Sequence, residues 1–165
     1  MHVASDCVER WSRARRGLLL AAGLAFAVLT SSCALLGDDG DESLRQSLRS
    51  NQFMWNQADL SNYTYDYQYG SAWGGPPPVT ITVRADTVHA VVNRATGEPL
   101  DEAEHHLFPT VDDLFDEVHE ALDYDRADVI FDAELGYPRR ASFDPYRNAV
   151  DDAFSYEAEG LEPDE

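Results

Sequence analysis

Basic residues are scarce in this chain, and their shortage excludes two classes of partner. The 165 residues include 12 basic and 31 acidic side chains, every basic one is an arginine, and the formal net charge is −19. A surface of this sign repels nucleic acid and anionic lipid headgroups, so we expect neither as a partner. Solubility, a salty habitat and cation binding each explain such an acid excess, and we favour the first two over the third.

Cysteines and catalytic motifs are also few. The only cysteines are Cys7 and Cys33, so a mature chain beginning at Cys33 would have no intramolecular disulfide and would depend on its core. The sequence contains no Gly-x-Ser-x-Gly motif, no phosphate-binding glycine loop and no complete EF-hand loop. We therefore expect a non-enzymatic protein that needs no cofactor.

The N-terminus has the pattern of an export signal. Four arginines between residues 10 and 16 precede an apolar run over 17–29, and small residues at 30–32 separate this run from Cys33. At 1.5 Å per residue the run spans about 20 Å, less than the roughly 30 Å hydrocarbon core of a membrane. A basic segment, a short apolar segment and small residues before a cleavage site are typical of a secretory signal.

A cysteine directly after such a site is the residue that receives a diacylglycerol in bacterial lipoproteins. We therefore predict a lipoprotein signal peptide over residues 1–32 and lipid attachment at Cys33, which anchors the protein in the cell envelope. Because Ala34 rather than Asp follows the cysteine, the outer membrane is favoured over the cytoplasmic membrane. Thr30 stands where lipoprotein signals usually have leucine, so an ordinary cleaved signal peptide and an uncleaved anchor stay open as alternatives.

Hydrophobic periodicity predicts one domain after the signal. We predict an acidic flexible tether over residues 33–42, a single domain over residues 43–161 and an acidic tail over residues 162–165. Within the domain the predicted order is α-β-β-β-α-β-β-β, with the first helix beginning near Ser43 and the second capped by Thr110. The strands are predicted at 62–69, 79–83, 87–92, 127–131, 139–143 and 153–157. Short connections favour an α+β fold with one mainly antiparallel sheet of about five to six strands and two helices on one face.

Four segments of this domain carry a resemblance, namely Asn62–Tyr65, Thr110–Phe115, Leu135–Pro138 and Val150–Asp152. Taken together, they resemble a family of uncharacterised bacterial lipoproteins known as a domain of unknown function, whose best motif is a Gly-Tyr-Pro turn followed by paired aspartates near the C-terminus. The resemblance covers about Ser43 to Leu161. It supports export and the fold, and it implies no particular activity.

A row of tyrosines is the first candidate site. Tyr63, Tyr65, Tyr67 and Tyr69 alternate with polar residues and so share one face of a strand, and Trp73 follows in a loop. Such a face could stack a sugar or peptide ligand. Tyrosine also suits a strand packed under a helix, and we favour packing.

Histidines and aspartates are the second candidate. His105 and His106 lie in a long predicted loop, and Asp132, Asp144, Asp151 and Asp152 crowd the second half of the chain. Imidazole with carboxylate suits Zn²⁺, and several carboxylates suit Ca²⁺. In so acidic a chain these groups are commonplace, so we favour a solvated surface and expect no metal.

These patterns favour a lipid-anchored envelope domain that binds a protein or another envelope component. A domain that binds divalent cations such as Ca²⁺ is the alternative, and a hydrolase is the third reading.

Overall fold

The computed structural model describes residues 39–146, 148–149 and 151–164. The predicted signal peptide, Cys33 and the first part of the tether lie outside these residues. In the part that is described, no helix has both the length and the apolar character needed to cross a membrane.

The secondary structure follows the predicted order. Within the described residues, two α-helices and six strands are joined by short loops and two 3₁₀ helices. The α-helices are α1 (Asp39–Ala58) and α2 (Val111–Glu120). The strands are β1 (Tyr63–Ser71), β2 (Val79–Arg84), β3 (Thr87–Asn93), β4 (Arg126–Phe131), β5 (Pro138–Asp144) and β6 (Phe154–Pro163). The first 3₁₀ helix is Glu102–Leu107 and the second is Ala121–Asp123.

All six strands form one antiparallel sheet in the order β3-β2-β1-β6-β5-β4. Two three-stranded meanders, β1–β3 and β4–β6, therefore join through the pairing of β1 with β6. In the turn between β2 and β3, Ala85 and Asp86 both have positive φ, at 46° and 59°. Two such residues match the right-handed twist of a hairpin, which confirms the hairpin predicted there. The α+β fold with one antiparallel sheet is confirmed.

One face of the sheet carries the core, and both helices cover it. Alternate residues of β1, β2, β5 and β6 are buried with Leu48 and Trp55 of α1 and the apolar stripe of α2. The Trp55 indole N–H donates to the Asp112 carboxylate of α2 at 3.1 Å, and the Trp55 ring meets Tyr63 edge-on at 5.4 Å between ring centroids. Trp55 thus joins both helices to the sheet. The other sheet face is polar and open.

The structure extends two predicted elements. Helix α1 begins at Asp39 rather than near Ser43, so residues 39–42, predicted as tether, are helical. Strand β6 continues to Pro163 because it pairs along the whole of β1, with Tyr63 opposite Pro163. The first residues of the predicted acidic tail therefore belong to the sheet. The long loop predicted before α2 also contains the first 3₁₀ helix, whose start is capped by the Asp101 carboxylate.

Candidate functional site

A cleft of about 640 Å³ lies between β1, the first 3₁₀ helix and α2. This volume is within the range of small-ligand sites. Tyr67 and Tyr69 of β1 line one part of it, and Leu107 and Phe108 line another. Four acidic side chains of α2 also belong to the lining, namely Asp113, Asp116, Glu117 and Glu120.

Buried tyrosines hold the start of α2 beside the sheet. The Tyr65 hydroxyl donates to the Pro109 carbonyl, and the Tyr63 hydroxyl accepts the Val111 backbone N–H at 2.9 Å. Thr110 then forms a capping box with Asp113, as the sequence predicted: its hydroxyl accepts the Asp113 N–H, and its own N–H donates to the Asp113 carboxylate at 2.7 Å. These bonds satisfy backbone groups that a helix start leaves unpaired, and they fix α2 as a wall of the cleft.

Helix α2 has an apolar face and an acidic face. Val111, Leu114, Phe115 and Val118 form an apolar stripe that is buried in the core. The cleft-lining acids lie at positions 113, 116, 117 and 120, a spacing of three and four residues that places them on one side of a helix. Repeated negative charge on one side of a helix is destabilising by itself, although Asp113 lies in the first turn, where the helix dipole favours an acid.

Glu117 is the most perturbed carboxyl group of the cleft. Removal from water, followed by the nearby charge of Glu120, raises its pKa to about 7. Among the described residues its carboxylate forms neither a hydrogen bond nor an ion pair. A perturbed acid in a cleft is a candidate functional group, and here it can exchange a proton near neutral pH.

Three tyrosines lie near enough to Glu117 to be affected by its charge. Burial first and the Glu117 charge second raise the pKa of Tyr67, Tyr69 and Tyr156. The Tyr156 hydroxyl is buried and has no hydrogen-bond partner among the described residues. The centroid of its ring lies 6.1 Å from that of Tyr67, but Tyr156 itself does not line the cleft.

The structure buries most of the tyrosine row of β1, for which the sequence favoured packing over a ligand surface. Tyr63, Tyr65 and Tyr67 are at most 7% exposed, because this strand face is the one that α1 and α2 cover, as the packing interpretation expected. They cannot form an open stacking surface. Tyr69 is half-buried, and the ring of Tyr67 reaches the cleft edge. Trp73 is 83% exposed in the loop after β1, where its indole N–H donates to the Asp151 carbonyl at 3.2 Å.

The metal candidates are not assembled. Among the described residues, no three His, Cys, Asp or Glu side chains lie close enough together to hold a metal ion. The Asp132 carboxylate accepts backbone N–H groups in the turn before β5, and that of Asp152 accepts the Tyr146 N–H. Asp144 ends β5, and Asp151 is exposed beside Asp152. His105 and His106 lie on the first 3₁₀ helix, and only His106 of the two lines the cleft.

Sequence reasoning did not single out Glu117 or its acidic neighbours on α2. Their helical spacing was visible beside the apolar stripe, and it was the available signal. What it could not reveal was that Tyr67 and Tyr69 lie opposite, because these residues belong to a different part of the chain.

The comparisons with known proteins concern the domain as a whole. No curated protein and no solved structure matches the chain. A family model described as a family of unknown function, DUF6174, matches residues 47–163. This range holds both helices' core residues, all six strands and the cleft, and it agrees with the resemblance to a domain of unknown function. The chain belongs to this family.

Proposed function

We propose that this protein is an exported, lipid-anchored envelope domain that binds a partner protein in the cleft between β1 and α2. The observation that supports the binding role is the cleft itself, where Tyr67 and Tyr69 lie opposite an acidic helix and Glu117 has no partner among the described residues. The export signal and Cys33 support the location, with the outer membrane as the favoured site.

The side chains of the cleft favour binding over catalysis. Glu117 can serve as an acid or a base, but the lining contains no serine, threonine or cysteine nucleophile among the described residues. Nucleophilic catalysis pairs a base with such a group. A concave surface with aromatic and ionisable groups and no nucleophile suits recognition.

The anchor is tested by a Cys33→Ser variant. We expect the wild-type protein in the membrane fraction with the mass of an acylated chain, and the variant released from membranes. Cys7→Ser is the matched control and is expected to leave partitioning unchanged, because residue 7 is discarded with the signal. Equal membrane binding and equal mass for the Cys33→Ser variant would contradict lipidation.

The binding role is tested by crosslinking in intact cells with a photoreactive phenylalanine placed at Leu107. This side chain is 67% exposed and lies at the cleft. Ile130 is the control position because it is 50% exposed and lies on the open sheet face. It pairs with Arg140 of β5, whose neighbour Ala141 points to the buried face. We expect a reproducible crosslinked band from residue 107 and none of the same size from residue 130. No band, or the same band from both, would count against the cleft.

A further inference from the structure

The two kinds of side chain in the cleft select for the same ligand chemistry. Tyr69, half-buried at the cleft, supplies an aromatic ring, and the face of such a ring attracts cations. Asp116, Glu117 and Glu120 supply carboxylates, which form strong charge-assisted hydrogen bonds with guanidinium and ammonium groups. Both features favour an organic cation and disfavour an anion.

Among the described residues no arginine lines the cleft, and His106 is the one basic side chain of its lining. Arg94 pairs with Asp66 at 2.9 Å and Arg140 with Glu157 at 3.0 Å. Both acids alternate along their strands with core residues, so they lie on the open sheet face. These two arginines are therefore engaged on the side of the sheet opposite the cleft.

Glu117 is the group that would gain most from a cation. A carboxylate taken from water without a partner costs free energy, and an opposite charge offsets that cost. Tyr156, which is 1% exposed and is affected by the Glu117 charge, has a hydroxyl without a hydrogen-bond partner among the described residues, although it does not line the cleft. The combination of a defined volume, aromatic rings and an unpaired, half-buried carboxylate distinguishes this cleft from an ordinary acidic surface.

We propose, building on the binding role above, that the cleft receives the side chain of an arginine or lysine presented by the partner protein. A partner side chain is favoured over a free amine because Leu107 leaves an exposed apolar contact at the cleft. A flanking residue of a polypeptide can cover this contact, whereas a small polyamine cannot. The protein's net charge of −19 adds long-range attraction for a basic segment.

The proposal has a consequence for pH. A bound cation stabilises ionised Glu117, so binding below neutral pH must release a proton. With a pKa of about 7, the ionised fraction rises about tenfold between pH 6 and pH 8, and affinity for the cation should rise by about the same factor. The titratable groups facing Glu117 are Tyr67 and Tyr69 of β1, Tyr156 of β6, Tyr124 after the second 3₁₀ helix, Glu120 of α2 and His106 across the cleft.

The experiment measures binding of arginine blocked at both ends, N-acetyl-arginine methylamide, to the full chain in a nonionic detergent. Blocked citrulline is the neutral analogue of nearly equal shape, and putrescine represents a free amine. Titrations followed by calorimetry at pH 6 and pH 8, in two buffers of different ionisation enthalpy, report affinity and proton release together. Glu117→Gln removes the proposed partner charge, and Glu162→Gln removes the same charge from an exposed position on β6 outside the cleft.

We expect saturable binding of blocked arginine at pH 8, at least tenfold tighter than blocked citrulline and about tenfold tighter than at pH 6. Glu117→Gln should weaken it at least tenfold and abolish the proton release, while Glu162→Gln should change it less than twofold. Equal binding of citrulline, or equal losses in the two variants, would overturn the proposal. Tighter binding of putrescine would assign the cleft to a free amine instead of a partner side chain. If the crosslink from residue 107 forms but blocked arginine does not bind, the partner role survives and its cationic chemistry is wrong.

Discussion

Replacing Gly136 with alanine should destabilise the domain by an amount that reports how closely the turn before β5 packs on α1. Gly136 has φ of +79° and starts the Gly-Tyr-Pro turn. A Cβ at this position would lie 2.9 Å from the Met54 Cβ and closer still to the Asn51 carbonyl oxygen. Both atoms belong to α1, and one is backbone, so relief requires the helix or the turn to shift.

Two opposing effects set the size of the loss. Holding a residue other than glycine at such a φ costs about 1–2 kcal/mol, and the reduced freedom of the unfolded chain returns about 0.4–1 kcal/mol. The clash adds about 1–3 kcal/mol, the usual cost of overpacking. Gly136→Ala should therefore lower the free energy of unfolding by about 2–4 kcal/mol.

Gly97→Ala is the matched control. Gly97 has φ of +72°, but a Cβ there would meet no atom within 4 Å. It should therefore cost only the backbone part, about 0.5–1.5 kcal/mol. Urea unfolding of the detergent-solubilised full chain, followed by tryptophan fluorescence, measures both losses, and equal losses for the two variants would show that α1 does not pack against the turn.

Three further predictions concern the tyrosines, Glu117 and the first hairpin. Tyr65→Phe leaves the Pro109 carbonyl without its donor and should lower the free energy of unfolding in urea by about 1–2 kcal/mol. Tyr156→Phe removes a hydroxyl that has no partner among the described residues, so its free energy of unfolding should be unchanged or higher. The reverse ranking of the two variants would contradict these hydrogen-bond assignments. Folding raises the pKa of Glu117 from 4.5 to about 7. The favourable contribution of Glu117 to the free energy of unfolding is therefore complete below pH 4.5 and is lost as the pH rises to 7. The loss amounts to up to about 2 kcal/mol after allowance for solvent screening. Glu117→Gln should thus be more stable than wild type at pH 8, and the advantage should shrink toward pH 4.5; a constant difference across this range would refute the assignment. Asp86 has φ of +59° in the β2–β3 turn. Asp86→Gly should raise the melting temperature, because glycine adopts this conformation without a steric penalty from a side chain. A lower melting temperature would contradict the turn geometry.

Local patterns predicted the elements whose causes are local. Tyrosine at every second position of β1 predicted both the strand and the burial of its aromatic side, because a strand turns alternate side chains to opposite faces. Thr110 and Asp113 predicted the start of α2, because a capping box involves only residues three apart. Helix α1 extends further back than predicted, since the acidic and glycine residues before Ser43 resemble a tether in composition.

The cleft depends on pairings that no local pattern encodes. Glu117 is one of 31 acidic residues, and of its sequence neighbours only Glu120 contributes to its raised pKa, as the smaller of two causes. The larger cause is burial, which depends on the tertiary structure. The pairing of β1 with β6 places Tyr69 opposite Tyr156 and brings the first and last strands of the domain together, and the charge of Glu117 affects both tyrosines. The long-range strand order thus sets the surroundings of the group that we propose for cation recognition.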